Sequence, residues 1–263
     1  MRGRVVYIGN FRHKHCTEVH LSQTLRSMGY KVVQLQEDAV THAAIIDRAK
    51  GADLVLYTRT WGLPAATTEV WRDIESRGTK TASYHLDLYV GLHREDTLES
   101  DPFWTTGTCF TPDGDPASAK VFKDYGVNHV YMPPAVVKAE CVPGRKRPKF
   151  RAPIAFVGSY PYPHPEWPYR DKLVEWLMET YGPQFRRYGG RDTVRNQDLN
   201  DLYATAQVVV GDSLCLGFTK PYYWSDRPYE TVGRGGFLIM PRIEGLDHHF
   251  TDGEHLVFYD YND

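Results

Sequence analysis

The sequence predicts an α/β fold made of two doubly wound halves, each a parallel sheet with helices on both faces. Apolar segments rich in β-branched residues alternate with amphipathic segments that stop at glycine, a pattern typical of parallel strands joined by crossover helices. The alternation is interrupted by a proline-rich basic stretch between Pro133 and Pro153 and then resumes. We therefore expect a domain over residues 1–135, a linker over residues 136–152 and a second domain over residues 153–263.

The first half contains six predicted strands and three predicted helices. The strands read RVVYIG, KVVQLQ, DLVLYTR, KTASYHLD, GTCFTPD and NHVYMP. The helices read TEVHLSQTLRSM, HAAIIDRAKG and TTEVWRDIESRG, and a glycine ends or follows each of them, as is common at helix C-termini. In the first helix Val19, Leu21, Leu25 and Met28 fall near one face, so we expect this face to be buried.

The second half repeats this alternation. Its strands read PIAFVGSY, QFRRYGG, AQVVVGDS and GFLIMP, and its helices read YRDKLVEWLMETYG, DLNDLYATA and RPYETVGRGG. The first of these helices places Leu173, Trp176, Leu177 and Tyr181 on one side. Between the halves, the basic cluster Arg145–Lys149 is interpreted as a solvated linker, or alternatively as a contact with an acidic partner.

Composition and charge exclude several classes of protein. With 41% hydrophobic and 24% charged residues, the chain is typical of a soluble globular protein with a sizeable core. The net charge of −2 predicts no strong nonspecific binding to nucleic acid, although a local basic face stays open. Four scattered cysteines without a CxxC pair disfavour a zinc ribbon or a disulfide framework. No segment reads as a signal peptide or a membrane span, so we expect a cytoplasmic protein.

Two polar clusters follow strands of the first half, where ligands of parallel sheets bind. Asn10, Arg12 and His13 follow the first strand, either as substrate contacts or as an exposed loop; no neighbouring acidic or cysteine ligand has a recognisable metal spacing. His85 and Asp87 follow the fourth strand and could transfer a proton or stabilise a developing cation. The alternative for this pair is a hydrogen-bonded core histidine and a turn-capping aspartate.

Two further clusters follow strands of the second half. FVGSY ends a strand in Gly158 and Ser159, where the backbone can approach an anion, and Arg170 opens the next helix. In SDRPYETVGRGGFLIMP, Arg227 begins a short helix, and the oxygens of Glu230 could accept from a vicinal diol such as a ribose. The alternative is an ordinary helix start with a favourable glutamate.

These motifs resemble those of GT-B glycosyltransferases, specifically the CgeB-like group of the retaining, glycogen-synthase-like type (family 1-type). The resemblance is carried by FVGSY, LNDLYATAQVVVGDS, SDRPYETVGRGGFLIMP and GLDHHFTDGEHLVFYD. The R-x-x-E-x-x-x-x-G block of the family is filled by Arg227, Glu230 and Gly235, and the F-x-x-G-x-x-x-x-x-Y segment by Phe250, Gly253 and Tyr259. The resemblance covers Ile154–Asp263 well and the first half by topology alone.

The resemblance implies two Rossmann-like domains facing a cleft, and metal-independent transfer of a hexosyl or pentosyl group from a nucleoside-diphosphate sugar, with UDP as the expected nucleotide and no cofactor. The implied donor-binding residues are Gly158, Ser159, Arg170, Tyr188, Gly189, Lys220, Arg227, Tyr229, Glu230 and Thr231. The implied acceptor-binding residues are Asn10, Arg12, His13 and Arg94, and the reacting centre is His85 with Asp87. The sequence DGD at Asp113–Asp115 spells a metal motif, but it lies in the wrong half for a donor-bound metal.

The sequence leaves four questions open. The acceptor is a hydroxymethylated base in phage DNA, a saccharide, a protein or a small molecule; the first would place the enzyme in an infected bacterial host. The family has a glutamate where this chain has Tyr223, and Lys220, Tyr222 and Asp226 are candidates to replace it. Retention of configuration follows from the resemblance alone, and inversion would make Asp87 the general base. The alternative functions are a noncatalytic nucleotide-sugar-binding module and a GT-B sugar-nucleotide epimerase.

Overall fold

A computed structural model describes residues 2–190, 193–213, 215 and 220–260. The chain forms two compact units, Met1–Met132 and Pro133–Asp263. Each unit is built on one parallel β-sheet, with six strands in the first and five in the second. The predicted α/β class with two doubly wound halves is therefore confirmed. No helix within the described residues is long and apolar enough to cross a membrane.

The sheet of the first unit has the order β2-β1-β3-β4-β5-β6. Its strands are β1 (Gly3–Gly9), β2 (Tyr30–Gln36), β3 (Leu54–Tyr57), β4 (Lys80–Tyr84), β5 (Cys109–Thr111) and β6 (His129–Tyr131). Its α-helices are α1 (Thr17–Ser27), α2 (His42–Ala49), α3 (Thr67–Ser76) and α4 (Pro116–Asp124). The central strand β1 is buried on both faces, as expected for a doubly covered sheet: Val6 packs in the cluster around Trp71, and Tyr7 packs in the cluster with Val32.

Helix α1 packs on the sheet through the predicted leucines together with two polar side chains. Leu21 and Leu25 pack against the cluster of Val5, Tyr7 and Val32, and Glu18 and Ser22 on the same face are buried, whereas Met28, just beyond the C-terminus, is 48% exposed. Both buried polar groups have partners: a carboxylate oxygen of Glu18 accepts from the hydroxyl of Thr60 at 3.1 Å, and the hydroxyl of Ser22 accepts from Gln34 at 2.9 Å.

The sheet of the second unit has the order β11-β10-β9-β7-β8. Its strands are β7 (Ile154–Val157), β8 (Phe185–Tyr188), β9 (Val208–Val210), β10 (Leu238–Pro241) and β11 (Val257–Tyr259). Its α-helices are α5 (Arg170–Tyr181), α6 (Asn196–Thr205) and α7 (Arg227–Gly233). Helix α5 buries Val174 and Leu177, while Trp176, predicted to lie on the buried side, is 53% exposed.

The basic cluster Arg145–Lys149 belongs to the second unit and contacts an acidic face of α6. Arg147 Nε lies 3.0 Å from a carboxylate oxygen of Asp201, and Lys149 Nζ lies 2.9 Å from Asp198. The backbone N–H of Arg145 also donates to Asp201, at 2.8 Å. These hydrogen bonds lower the pKa of Asp201 to about 2, the contact from the Arg145 N–H being the largest cause. Arg147 and Lys149 therefore have acidic partners within the chain.

Candidate functional site

In the second unit, two strands and two helices bring charged residues to the carboxyl edge of the sheet. Strand β7 ends before Gly158, and β9 ends before Gly211 and Asp212. Helices α5 and α7 begin with Arg170 and Arg227. Because β7 and β9 are neighbours in the sheet, these four chain segments meet at one place.

Asp212 lies between the two guanidinium groups. Arg170 Nε donates to Asp212 Oδ2 at 2.7 Å, and Arg227 Nη1 donates to the other carboxylate oxygen and, at 3.0 Å, to the main-chain carbonyl of Asp212. The Asp212 side chain is only 4% exposed. Burial by itself raises the pKa of Asp212, but Arg227 and Arg170 together outweigh it and hold the pKa below its ordinary value. Asp212 is therefore ionised at neutral pH.

Asp212 was not among the predicted site residues. Its signal was present in AQVVVGDS, where a carboxylate directly follows a short apolar strand. A charged residue at that position is buried by the sheet edge and must find a partner. The sequence could have supplied this reasoning, but it could not identify Arg170, 42 positions earlier, as the partner.

Arg227 also ties α7 to β7. Its Nη2 donates to the carbonyl of Val157 at 3.1 Å, and its guanidinium carbon lies 5.2 Å from the centre of the Phe156 ring. A Cβ at Gly158 would lie 3.0 Å from Arg227 Nη2 and 2.8 Å from the Phe156 ring. Only glycine leaves room for this guanidinium beside the strand end, which explains why position 158 is a glycine.

A pocket of about 370 Å³ opens beside this cluster. It is lined by Tyr169, Arg170, Lys172, Leu173, Trp176, Asp212 and Tyr259. The hydroxyl of Tyr259 donates to the carbonyl of Gly211 at 3.4 Å, just beyond the end of β9. The pocket thus combines aromatic walls with two cationic side chains.

Glycine also permits the close approach of β7 and β8 beyond their ends. The Gly158 N–H donates to the carbonyl of Tyr188 at 2.8 Å, and a Cβ on Gly189 would lie 2.1 Å from the Gly158 carbonyl oxygen. Gly189 has φ 137°, which L-residues rarely adopt. The hydroxyl of Tyr188 is buried and has no hydrogen-bond partner among the described residues. The Tyr188 hydroxyl is thus enclosed and unpartnered, and a ligand reaches it only if the side chain moves.

Glu230 is one turn into α7, with its side chain 25% exposed. Burial raises its pKa to about 7, and the neighbouring carboxylate of Asp226 adds to the effect. Arg234, whose Nη1 lies 3.6 Å from Glu230 Oε1, acts in the opposite direction. Glu230 is therefore a partly exposed carboxyl that gains or loses its proton near neutral pH.

The other predicted donor residues differ in exposure. Ser159 is exposed and Lys220 is half-buried. The hydroxyl of Tyr229 accepts from the Trp224 indole N–H at 3.2 Å, whereas Thr231 is fully buried within α7. Tyr223, which replaces the family glutamate, is 4% exposed and packs against Trp167. An aromatic contact thus occupies the place of that carboxylate.

In the first unit, His85 follows β4 within an aromatic cage. Its ring centre lies 5.2 Å from Tyr89, 5.8 Å from Phe103 and 6.2 Å from Trp104. The side chain is buried, and its Nε2 has no hydrogen-bond partner among the described residues. Burial lowers the pKa of His85 well below its ordinary value, and the charge of Arg59 adds to this. His85 is therefore neutral at physiological pH, which disfavours a role as proton donor and leaves the predicted stabilisation of a developing cation as a prediction.

The remaining predicted residues of the first unit follow β1 and β4, with Asn10, Arg12, His13 and Asp87 in loops and Arg94 in a short 3-10 helix over His93–Thr97. Asp87 is exposed and makes no hydrogen bond or ion pair with His85 among the described contacts. Asn10 is nearly buried, with its side-chain oxygen accepting from the Arg12 N–H at 3.2 Å, while His13 is exposed. The Arg94 Nε–H donates to the carbonyl of Leu88 at 3.1 Å.

The DGD sequence is used to support the backbone. Asp113 is fully buried and accepts from the N–H groups of Tyr89 and Val90 at 2.9 and 2.8 Å, and Asp115 caps α4 by accepting from the Ser118 N–H at 2.9 Å. Both carboxylates therefore have local structural roles.

Comparison with known proteins supports one family for the second unit. Residues 145–263 match the family described as glycosyl transferase-like. A comparison of the sequence with curated proteins gives no significant match.

Solved structures show that the whole chain has the GT-B fold. An α-glucosyltransferase solved with UDP and a 13-mer DNA containing an HMU base is 10% identical, with a TM-score of 0.57 over 97% of this chain and 81% of that one. A glycosyltransferase from Rickettsia africae ESF-5 is 10% identical, with a TM-score of 0.57 over 99% and 85% of the two chains. Anabaena HepE, solved with UDP-glucose, is 10% identical, with a TM-score of 0.57 over 98% and 85%. The predicted resemblance to GT-B glycosyltransferases is confirmed.

Proposed function

Because residues 145–263 match a glycosyl transferase-like family and the chain has the GT-B fold, we propose that the protein transfers a sugar from a nucleoside-diphosphate sugar to an acceptor. The observation that carries this proposal is the cluster of Arg170, Asp212 and Arg227 at the carboxyl edge of the second sheet, with Glu230 one turn into α7. Ligands of open parallel sheets bind at such edges.

The charge of the cluster favours a diphosphate. Two guanidiniums share one carboxylate, so the cluster keeps one net positive charge close to the pocket. Among the described contacts Arg170 donates to Asp212 through its Nε–H alone. The terminal N–H groups of Arg170 are therefore left for phosphate oxygens. The guanidinium of Arg170 lies 4.3 Å from the centre of the Tyr162 ring, which holds it in place.

Glu230 and Tyr188 complete the proposed donor site. The two oxygens of Glu230 would accept from the hydroxyls of the ribose, and its partial exposure leaves them within reach of a ligand. The buried hydroxyl of Tyr188 would find its missing partner on the base once its side chain turns outward, and uracil has suitable carbonyl groups. UDP is accordingly the nucleotide that we propose, and the neighbours solved with UDP or UDP-glucose agree with it.

The reacting centre is proposed at His85 and Asp87. A neutral His85 has one nitrogen that donates and one that accepts, and its unpartnered Nε2 would reach a sugar hydroxyl once the surrounding aromatic side chains move. Retention of configuration would leave Asp87 outside the bond-making step, whereas inversion would make this exposed carboxylate the general base. We propose that neither case uses a metal at DGD, because the Asp113 carboxylate already accepts from the main-chain N–H groups of Tyr89 and Val90.

The acceptor that we propose is a hydroxymethylated base in DNA. The support is the fold shared with the α-glucosyltransferase solved with DNA containing an HMU base. Saccharides, proteins and small molecules are the competing acceptors.

The test is a thermal-shift panel of nucleotide sugars, followed by measurement of UDP release and of product configuration by NMR. We expect UDP-sugars to raise the melting temperature and the preferred one to be hydrolysed slowly or transferred to modified DNA. Binding without release of UDP would favour a noncatalytic module, and an epimerised donor would favour the epimerase. No stabilisation by any nucleoside diphosphate or its sugar would contradict the proposal.

A further inference from the structure

Trp61 is an exposed aromatic residue on a backbone that is firmly held. Its side chain is 53% exposed, yet the loop that carries it is bonded to a buried carboxylate. Glu37, which is 2% exposed, accepts from the N–H groups of Thr60, Trp61 and Gly62 at 2.9, 3.0 and 2.8 Å. One buried side chain thus fixes three consecutive N–H groups, so the Trp61 backbone is preorganised.

Two further contacts fix the same loop. The hydroxyl of Tyr57 donates to Glu37 at 2.6 Å, and the hydroxyl of Thr60 donates to the buried Glu18 at 3.1 Å. Ionised carboxylates in the interior are costly unless several donors satisfy them, and here the donors come from the loop itself. The core of the unit does not require the Trp61 ring, which suggests that its exposed position serves a ligand.

One cationic group lies beside the Trp61 ring. The Arg12 guanidinium carbon is 6.0 Å from its centre, and the exposed Lys14 follows in the same loop as Arg12. This loop follows β1, which pairs with β3, the strand that precedes Trp61. Three carboxylates near this edge already have their oxygens engaged within the chain. Glu18 and Glu37 are buried, and Asp38 forms an ion pair with Arg12.

This combination fits a nucleic acid better than a neutral saccharide. A flat exposed ring stacks on a base of any sequence, and the adjacent cations contact phosphates. Recognition of a neutral sugar would instead use exposed carboxylates to accept its hydroxyl groups, and here these groups face inward or are paired. We propose that Trp61 is the stacking platform for an unpaired base of a nucleic-acid acceptor, with Lys14 on its phosphates and Arg12 exchanging its surface partner Asp38 for a phosphate.

The inference rests on the proposed function in one respect, namely that the bound nucleic acid is the acceptor of the sugar. Strand β4 pairs with β3, so His85 follows a strand adjacent to the one that precedes Trp61. A base stacked on Trp61 would thus lie at the same sheet edge as the proposed reacting centre.

The test is fluorescence anisotropy of a labelled single-stranded oligodeoxynucleotide with the full chain. Trp61→Ala should weaken binding about tenfold or more, because stacking of one base contributes about 1–3 kcal/mol. Trp61→Phe should retain most of the affinity, and added salt should weaken binding of all variants steeply. The matched control is Tyr125→Ala in the same unit, since Tyr125 is 43% exposed but lies beyond the C-terminus of α4; it should bind like the wild type.

Equal affinity of Trp61→Ala and wild type would overturn the inference, as would the absence of oligonucleotide binding by the wild type. A neutral oligosaccharide that quenches Trp61 fluorescence in place of the oligonucleotide would also overturn it. The same samples are titrated with UDP to separate the two proposals. If the wild type binds the oligonucleotide through Trp61 but does not bind UDP, the donor site alone is contradicted. If it binds UDP but its oligonucleotide binding does not depend on Trp61, the platform alone is contradicted.

Discussion

At the scale of single residues, Asp212 stays ionised in the interior because two arginines neutralise it. Its side chain is 4% exposed, and those of Arg170 and Arg227 are 13% and 11% exposed. Removing one member of such a group leaves the opposite charge buried without compensation, which is far more costly than losing an exposed ion pair.

Asp212→Ala should lower the free energy of unfolding by about 3–5 kcal/mol, since Arg227 would be left buried beside the Val157 carbonyl without its carboxylate. Chemical denaturation followed by circular dichroism measures this. Asp124→Ala, which removes the exposed ion pair with Lys120, should change stability by less than about 1 kcal/mol. Equal effects of the two substitutions would show that the cluster does not stabilise the sheet edge.

A second prediction at this scale concerns the pH dependence of Glu230. Burial raises its pKa to about 7, and only the ionised form offers all its lone pairs to a ribose. Affinity for a UDP-sugar should therefore rise with pH and level off above about pH 7, falling by up to tenfold per pH unit below it. Calorimetric titration from pH 5.5 to 8.5 measures the profile, and a UDP-sugar is used because its phosphates do not titrate in this range.

The control for this profile is Glu230→Gln, which removes the titration and should flatten the curve. The raised pKa also has a consequence for stability: the folded state binds the proton more tightly, so the contribution of Glu230 is full below about pH 4 and declines as pH rises to about 7. A wild-type profile that coincides with that of Glu230→Gln would exclude Glu230 from the donor site.

At the scale of elements, the ends of β7 and β8 approach so closely that one position admits glycine alone. A Cβ on Gly189 would lie 2.1 Å from the Gly158 carbonyl oxygen, whereas at Gly190 the nearest atom would be 3.8 Å away. Both residues have positive φ, at 137° and 63°. Substitution of Gly189 thus adds a backbone collision to the strain that both positions share.

Gly189→Ala should destabilise the protein by about 3 kcal/mol or more and weaken UDP binding, because the strand ends must separate. Gly190→Ala should cost only about 1–2 kcal/mol, the strain of a left-handed residue, and spare UDP binding. Thermal unfolding with and without UDP compares the two. Comparable losses in both variants would mean that the close approach of the strands is not needed.

Most of the strands and helices were predictable from the sequence, and two were not. Strands such as β1 and β7 are apolar runs that stop at glycine, and their positions agree with the prediction. Helix α4 was missed although Asp115 and Pro116 are good start signals, since its two large apolar residues, Val121 and Phe122, are adjacent in sequence. Strand β11 was also missed, although the equally short strands β5, β6 and β9 were predicted.

The candidate site was only partly predictable, for a physical reason. Residues directly after strands, such as Gly158 and His85, can be placed at a sheet edge from the order of elements. The partner of a buried charge depends on which strands are neighbours, and the pairing of Arg170 with Asp212 requires the order of β7 and β9. Trp61 was missed because its importance lies in hydrogen bonds from its backbone to Glu37, which a sequence does not display.

At the scale of the whole molecule, the residues proposed for the donor and those proposed for the acceptor lie on two different sheets. The second unit, Pro133–Asp263, holds the residues proposed for the donor, and the first unit, Met1–Met132, holds those proposed for the acceptor and the reacting centre. A donor nucleotide should therefore act on the second unit through a small set of segments at one sheet edge.

Hydrogen–deuterium exchange of the full chain, with and without UDP, tests this central claim most directly. The account predicts that UDP slows exchange in residues 157–160, 187–190 and 226–232, the strand ends and the helix that surround Arg170, Asp212 and Glu230. The edge of the first sheet that carries Trp61 should keep its exchange rates with UDP alone. Protection confined to the first unit, or no protection at saturating UDP, would contradict the account.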